Sequence, residues 1–170
     1  MPIGSLSAKD EKISAITEGS SIFLQVPRYQ RGYAWDTDNI DDMLSDLQSV
    51  PKGSFFFGTL ILHIRPSEEN TFDLIDGQQR MTSITIMLSV IRDLLKDLHR
   101  NNESYQIHQH ISTKPLGGEK THRLIPCAEL KENEFFSRFV QNEPTEDLAP
   151  VNISQKHVQK NKKYFLTWIE

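Results

Sequence analysis

The apolar positions of this chain change period several times, and the changes mark out its elements. From Ile84 onward Met87, Leu88, Ile91, Leu94, Leu95 and Leu98 recur at helical spacing, the stripe of a long amphipathic helix. Just before it Phe72, Leu74 and Ile75 read as the end of a strand. The joint between them, Asp76-Gly77-Gln78-Gln79-Arg80, is wholly polar. Asp76 is placed to cap the helix, with Gln79 completing a capping-box-like pair, and Gly77 permits a tight turn and close approach of a ligand.

Upstream, Ser7 to Glu18 carries Ile13 and Ile16 and ends at Gly19, which predicts a short capped helix. Ser21 to Val26 has strand composition and stops at Pro27. Asp36 or Asp38 can cap a helix whose apolar residues are Ile40, Met43, Leu44 and Leu47. Its acidic row (Asp38, Asp41, Asp42, Asp46) reads as a solvated face. After a turn at Pro51 to Ser54, the apolar run Phe55 to Ile64 predicts a central strand, paired as a hairpin with 71–75. Gly58 within it marks a bulge or a close ligand approach.

Downstream, residues 101 to 122 are polar, with Pro115-Leu116-Gly117-Gly118 at their centre, and predict an excursion with at most a short helix. His108 and His110 there lack a carboxylate or cysteine partner and read as surface residues. Arg123 to Ile125 reads as extended. Glu129 to Val140 reads as a helix with Leu130, Phe135, Phe136 and Phe139 inward, and 142 to 153 as a linker. A last helix from Ser154 has Val158, Phe165, Trp168 and Ile169 as its apolar positions. The pattern amounts to an α+β fold: a small mixed sheet of three or four strands flanked by helices, with a helical extension. Residues 1–125 are expected as one domain and 126–170 as the start of the extension, continuing past Glu170.

Composition narrows the function. The chain has 170 residues, 37% hydrophobic and 25% charged, which fits a soluble globular domain. No stretch approaches a membrane span or a signal peptide, so a cytoplasmic location is expected. The single Cys127 excludes an internal disulfide and a cysteine zinc cluster. A net charge of −4 argues against a generally basic nucleic-acid binder; Lys156, Lys160, Lys162 and Lys163 are equally well a solvated helix face. P-loop, dinucleotide and nucleophile-elbow patterns are absent.

Candidate chemistry sits in two loops that follow strands. One is 76–82. The other is Pro27-Arg28-Tyr29-Gln30-Arg31-Gly32-Tyr33-Ala34-Trp35. A helix N-terminus favours an anion, and arginine offers a donor fork for phosphate oxygens. If the loops meet, Arg28, Arg31 and Arg80 would surround one polyphosphate and Tyr29 would stack on a base. Trp35 is expected instead as a core anchor. Gln78 or Gln79 would lie near the attacked phosphorus. Asp76 would hold a Mg²⁺ ion or orient water.

Three segments carry a resemblance: Val-Pro-Arg-Tyr-Gln-Arg-Gly-Tyr-Ala-Trp at 26–35, Phe-Phe-Gly-Thr-Leu-Ile-Leu at 56–62 and Leu-Ile-Asp-Gly-Gln-Gln-Arg-Met-Thr-Ser at 74–83. In this order and spacing they resemble the N-terminal domain of GmrSD-type restriction enzymes, including the phosphorothioate-sensing SspE type, with a fold related to ParB and sulfiredoxin. The resemblance implies a domain that binds and hydrolyses a nucleoside triphosphate, GTP or ATP, with Mg²⁺ as the expected metal. It implies modified DNA and a downstream His-Asn-His nuclease domain as partners in anti-phage defence. The nuclease motif itself is not in this chain, so no DNA cleavage is expected of it. Asp76, Gln78, Gln79 and Arg80 are the implied catalytic set. Arg28, Tyr29, Gln30, Arg31, Gly77 and Thr82 are the implied nucleotide contacts. Two alternatives stand beside this: a module that binds modified DNA or nucleotide without turnover, and a ParB-like DNA-binding protein. Self-association is left open.

Overall fold

The computed structural model describes residues 7–17, 22–50, 56–65, 68, 70–113, 121–127, 129–142 and 148–170. The expected Gly19 cap, the turn at Pro51 to Ser54 and the Pro115–Gly118 stretch lie outside the described residues, as does the side chain of Leu130.

In chain order the elements are α1 (Ile13–Thr17), β1 (Phe23–Gln25), α2 (Thr37–Ser49), β2 (Ile61–Ile64), β3 (Thr71–Asp76), α3 (Gln78–Asp97) and α4 (Asn101–Ile111). They continue with β4 (Ser112–Thr113), β5 (Thr121–His122), β6 (Leu124–Ile125), α5 (Leu130–Phe136) and α6 (Ile153–Ile169). A π-helical turn, Ser137–Gln141, extends α5. The fold is mixed α+β. One sheet runs β2-β3-β1-β6, with a two-stranded β4-β5 ladder beside it. Strand β1 lies parallel to both neighbours, Leu24 opposite Phe72 on β3 and Leu124 on β6. Strands β2 and β3 form the expected antiparallel hairpin.

Helix α3 is the centre of the molecule because it is buried on two sides. Met81 and Ile84 pack with Leu24, Val26, Leu74 and Leu124 of the sheet. Ile86 and Val90 pack with Tyr33, Ile40, Leu44, Phe136, Val140, Val158 and Phe165. A single stripe cannot serve two cores, so the intervening positions are Thr82, Ser83, Thr85 and Ser89, all buried. Thr85 and Ser89 satisfy their hydroxyls on the carbonyls of Met81 and Ile86, as small polar residues can within a helix.

Three expectations are corrected. The run from Phe55 to Ile64 is not a central strand: its regular part is Ile61–Ile64, at the sheet edge and exposed throughout. Apolar continuity signals burial on both faces only where neighbours exist on both edges. Residues 101–122 are more ordered than expected: an 11-residue helix occupies 101–111, entered through a turn in which His99 takes φ 58°. Trp168 faces outward, 41% exposed, while Val158 and Phe165 are buried as expected.

Candidate functional site

Parallel pairing sends the chain out of β1, β3 and β6 at the same end of the strands, where ligand clefts form in open sheets. The segments that leave there are Val26–Trp35 and Gly77 with the first turn of α3. They meet through hydrogen bonds. Gln30 Nε2 donates to the Ile75 carbonyl at 2.9 Å. The backbone N–H groups of Ala34 and Trp35 donate to Gln79 Oε1 at 2.8 and 3.2 Å, and Gln79 Nε2 donates to the Gly32 carbonyl at 3.2 Å. One amide thus holds three residues of the aromatic loop, Gly32, Ala34 and Trp35. The two segments expected to form one cleft are adjacent.

The helix start differs from the expected capping box. Gly77 is the N-cap, at φ 93°, and no side chain among the described residues caps the turn. Asp76 ends β3 with an exposed side chain, and Gln79 is committed to the loop. Gly77 is required twice over. Its φ is left-handed, and a Cβ there would come within 2.2 Å of Leu60 Cδ2. The first-turn N–H groups of a 20-residue helix, left without a side-chain cap, keep their partial positive charge.

Arg80 lies against the chain before β2. Its Nη1 donates to the carbonyls of Phe57 and Thr59 at 3.1 and 3.3 Å, and Nε and Nη2 make no hydrogen bond among the described residues. This explains Gly58, at φ 105°: a Cβ there would meet Arg80 Nη1 at 1.7 Å. Where a bulge or a close ligand approach was expected at Gly58, the neighbour is the chain's own guanidinium. Gly58→Ala should therefore unseat Arg80 and cost roughly 1–3 kcal/mol from backbone strain alone. Thermal unfolding beside the parent checks it, and equal midpoints would refute it.

The remaining candidates divide by exposure. Arg28, Tyr29 and Arg31 are exposed, Tyr29 at 74%. Gln78 donates Nε2 to the Arg31 carbonyl at 3.4 Å, while its Oε1 is enclosed without a partner among the described residues. Thr82 is 3% exposed, inside α3. Trp35 is half-buried against the helical core. A cavity of about 330 Å³ has none of these residues in its lining; it lies between Val90, Leu94, Phe139 and Leu166, and its half-buried ammonium, Lys162, is spent on Asp93 and the Phe139 carbonyl.

A family model described as GmrSD restriction endonuclease, N-terminal domain, matches residues 11–169. The chain belongs to this family. No curated protein matches it. In this GmrSD N-terminal domain no helix among the described residues is long and apolar enough to cross a membrane.

Sequence reasoning missed what stands behind the loop. The Tyr33 hydroxyl is 2.7 Å from Ser83 Oγ, and Asn161 of α6 donates Nδ2 to that hydroxyl at 2.9 Å and to the Trp35 carbonyl at 2.8 Å. Burial, partly offset by the Ser83 and Asn161 hydrogen bonds, pushes the Tyr33 phenol up to about 12. The neutral phenol is favoured in the fold. Its contribution is full below the ordinary value of 10.0 and is lost as pH rises through about 12. Tyr33→Phe should flatten this alkaline limb, worth up to roughly 3 kcal/mol, in denaturant unfolding followed against pH. An unaltered limb would exclude Tyr33 as its source.

Proposed function

We propose that this domain binds a nucleoside triphosphate, GTP or ATP, where the 27–35 loop meets the first turn of α3, and hydrolyses it. The observation that carries the reading is the Gln79 amide joining the two segments, with Gln30 on the Ile75 carbonyl beside it. Arg80 would receive phosphate oxygens on its open Nε and Nη2, helped by the uncapped helix terminus. Exposed Arg28 and Arg31 would add charge, and Tyr29 a stacking face for the base or for DNA. Gln79 serves as the clamp, which leaves Gln78, with its unpartnered Oε1, to orient the attacking water.

Mg²⁺ fits this donor set in one way. Among the described residues no three His, Cys, Asp or Glu side chains gather, so no all-protein cage exists; Asp76 is one exposed carboxylate beside the site. Magnesium prefers one or two carboxylates completed by water and phosphate oxygens, and when bound it neutralises charge on the phosphates.

Membership in the family makes the domain part of a restriction enzyme. The proposed role is regulation and sensing of modified DNA for a His-Asn-His nuclease domain that follows. A second reading, a module that holds nucleotide or modified DNA without turnover, is favoured by the full commitment of Gln79 to structure. A GTP and ATP panel, assayed for binding and phosphate release with and without modified DNA, separates them. Release supports the first; tight binding without release supports the second; neither binding nor release overturns both.

A further inference from the structure

We propose that Asn161 is a positioning residue through which α6 sets the aromatic loop, and with it the mouth of the candidate site. The proposal rests on the nucleotide reading above for its functional consequence, and on the hydrogen bonds for its geometry. Asn161 lies mid-helix among Lys160, Lys162 and Lys163, yet it is 0% exposed. Nothing in helix propensity calls for a buried asparagine there; burying an amide is costly unless its hydrogens find partners. Both bonds from its Nδ2 go to the loop, to the Tyr33 hydroxyl and to the Trp35 carbonyl.

The Trp35 residue is consequently held at both ends. Gln79 on α3 accepts from its N–H, and Asn161 on α6 donates to its C=O. Upstream in the loop, α6 closes in again at Gly32, where an added Cβ would lie 3.1 Å from Ser154 Oγ. Farther along α6, Tyr164 donates its hydroxyl to Asp41 of α2 at 2.7 Å. The loop therefore has a half held on both sides, 32–35, and a presenting half, Arg28 to Arg31, tied to the sheet by Gln30 and to α3 by Gln78, whose direction also depends on where 32–35 is held. Without Asn161 the Trp35 carbonyl loses its buried donor, and Gln79 is left to hold the Trp35 end of a loop whose earlier residues are tied by Gln30, Gln78 and Ser83.

The chain has two tryptophans, and Trp168 is peripheral, so a Trp168→Phe background makes Trp35 the reporter. In that background Asn161→Ala should shift the Trp35 emission maximum and weaken GTP or ATP binding by on the order of tenfold to a hundredfold. Tyr33→Phe, which keeps the Trp35 bond, should shift emission less. Asn161→Ser replaces Asn161→Ala if the alanine variant does not fold. Unchanged emission overturns the proposal. So does a shifted emission with parental nucleotide affinity, or a Tyr33→Phe shift as large as that of Asn161→Ala. If the parent binds neither nucleotide, the nucleotide reading falls, and the emission shift alone decides for or against Asn161 as the anchor.

Discussion

Arg92→Leu should destabilise the domain by roughly 3–5 kcal/mol, the range for removing one partner of a buried charged network. Arg92 is 2% exposed, and every donor of its fork is engaged. Nε and Nη2 contact Asp93 Oδ1 at 2.8 and 2.7 Å, while Nη1 and Nη2 donate to the carbonyls of Gln141 and Asn142 at 3.1 and 3.0 Å. Those carbonyls end the π-helical turn, where orphan acceptors and negative dipole charge call for a cation. Leucine would leave the buried Gln141 carbonyl and the half-buried Asn142 carbonyl without that donor, and Asp93 dependent on Lys162, 3.3 Å from its other oxygen. Lys162 is a poor substitute, since burial already lowers its pKa and the Asp93 charge only pulls it part of the way back. Urea unfolding with an unchanged slope measures the loss. A change below about 1 kcal/mol would mean that Arg92 contributes no more than a surface ion pair.

Neither Arg92 nor Asn161 was legible in the sequence, and for one reason. Each is a polar residue inside a helix that is packed on more than one side, so the apolar stripe counts it as solvent-facing. The same limit hid α4, whose buried residues are Ser104, bonded to the Arg92 carbonyl, and Ile111. The exposed edge strand misled in the opposite direction: Ile61, Leu62 and Ile64 look like core and lie open. What was legible came from local chemistry. Pro27 ends β1, Asp36, one of the two caps expected for α2, is its cap (with Asn39 completing a box that was not expected), and the hairpin β2–β3 follows from two apolar runs and a polar connection. The adjacency of the two polar loops was inferred from strand-end logic, and Gln79 supplies the contact. Which amide would act as clamp could not be read, because both glutamines offer the same groups.

Arg80→Ala is expected to reduce nucleotide turnover roughly a hundredfold or more, the effect of deleting a preorganised donor aimed at developing phosphate charge. The substitution removes two things that can be told apart. It takes away Nη1, which holds the carbonyls of Phe57 and Thr59, and the Nε and Nη2 donors that face no partner among the described residues. The first loss is structural, involves exposed or partly exposed groups, and should cost about 1 kcal/mol of stability. The second is the one that phosphate would feel. Arg80→Lys keeps a positive charge but not the fork, so it should retain part of the binding and little of the turnover. Gly58→Ala keeps the arginine yet drives its guanidinium from its seat, and should move turnover in the same direction as Arg80→Ala. If phosphate release from Arg80→Ala matches the parent while Gly58→Ala is merely less stable, Arg80 is a brace for the edge of the sheet, and the anion must be sought at Arg28 and Arg31 instead.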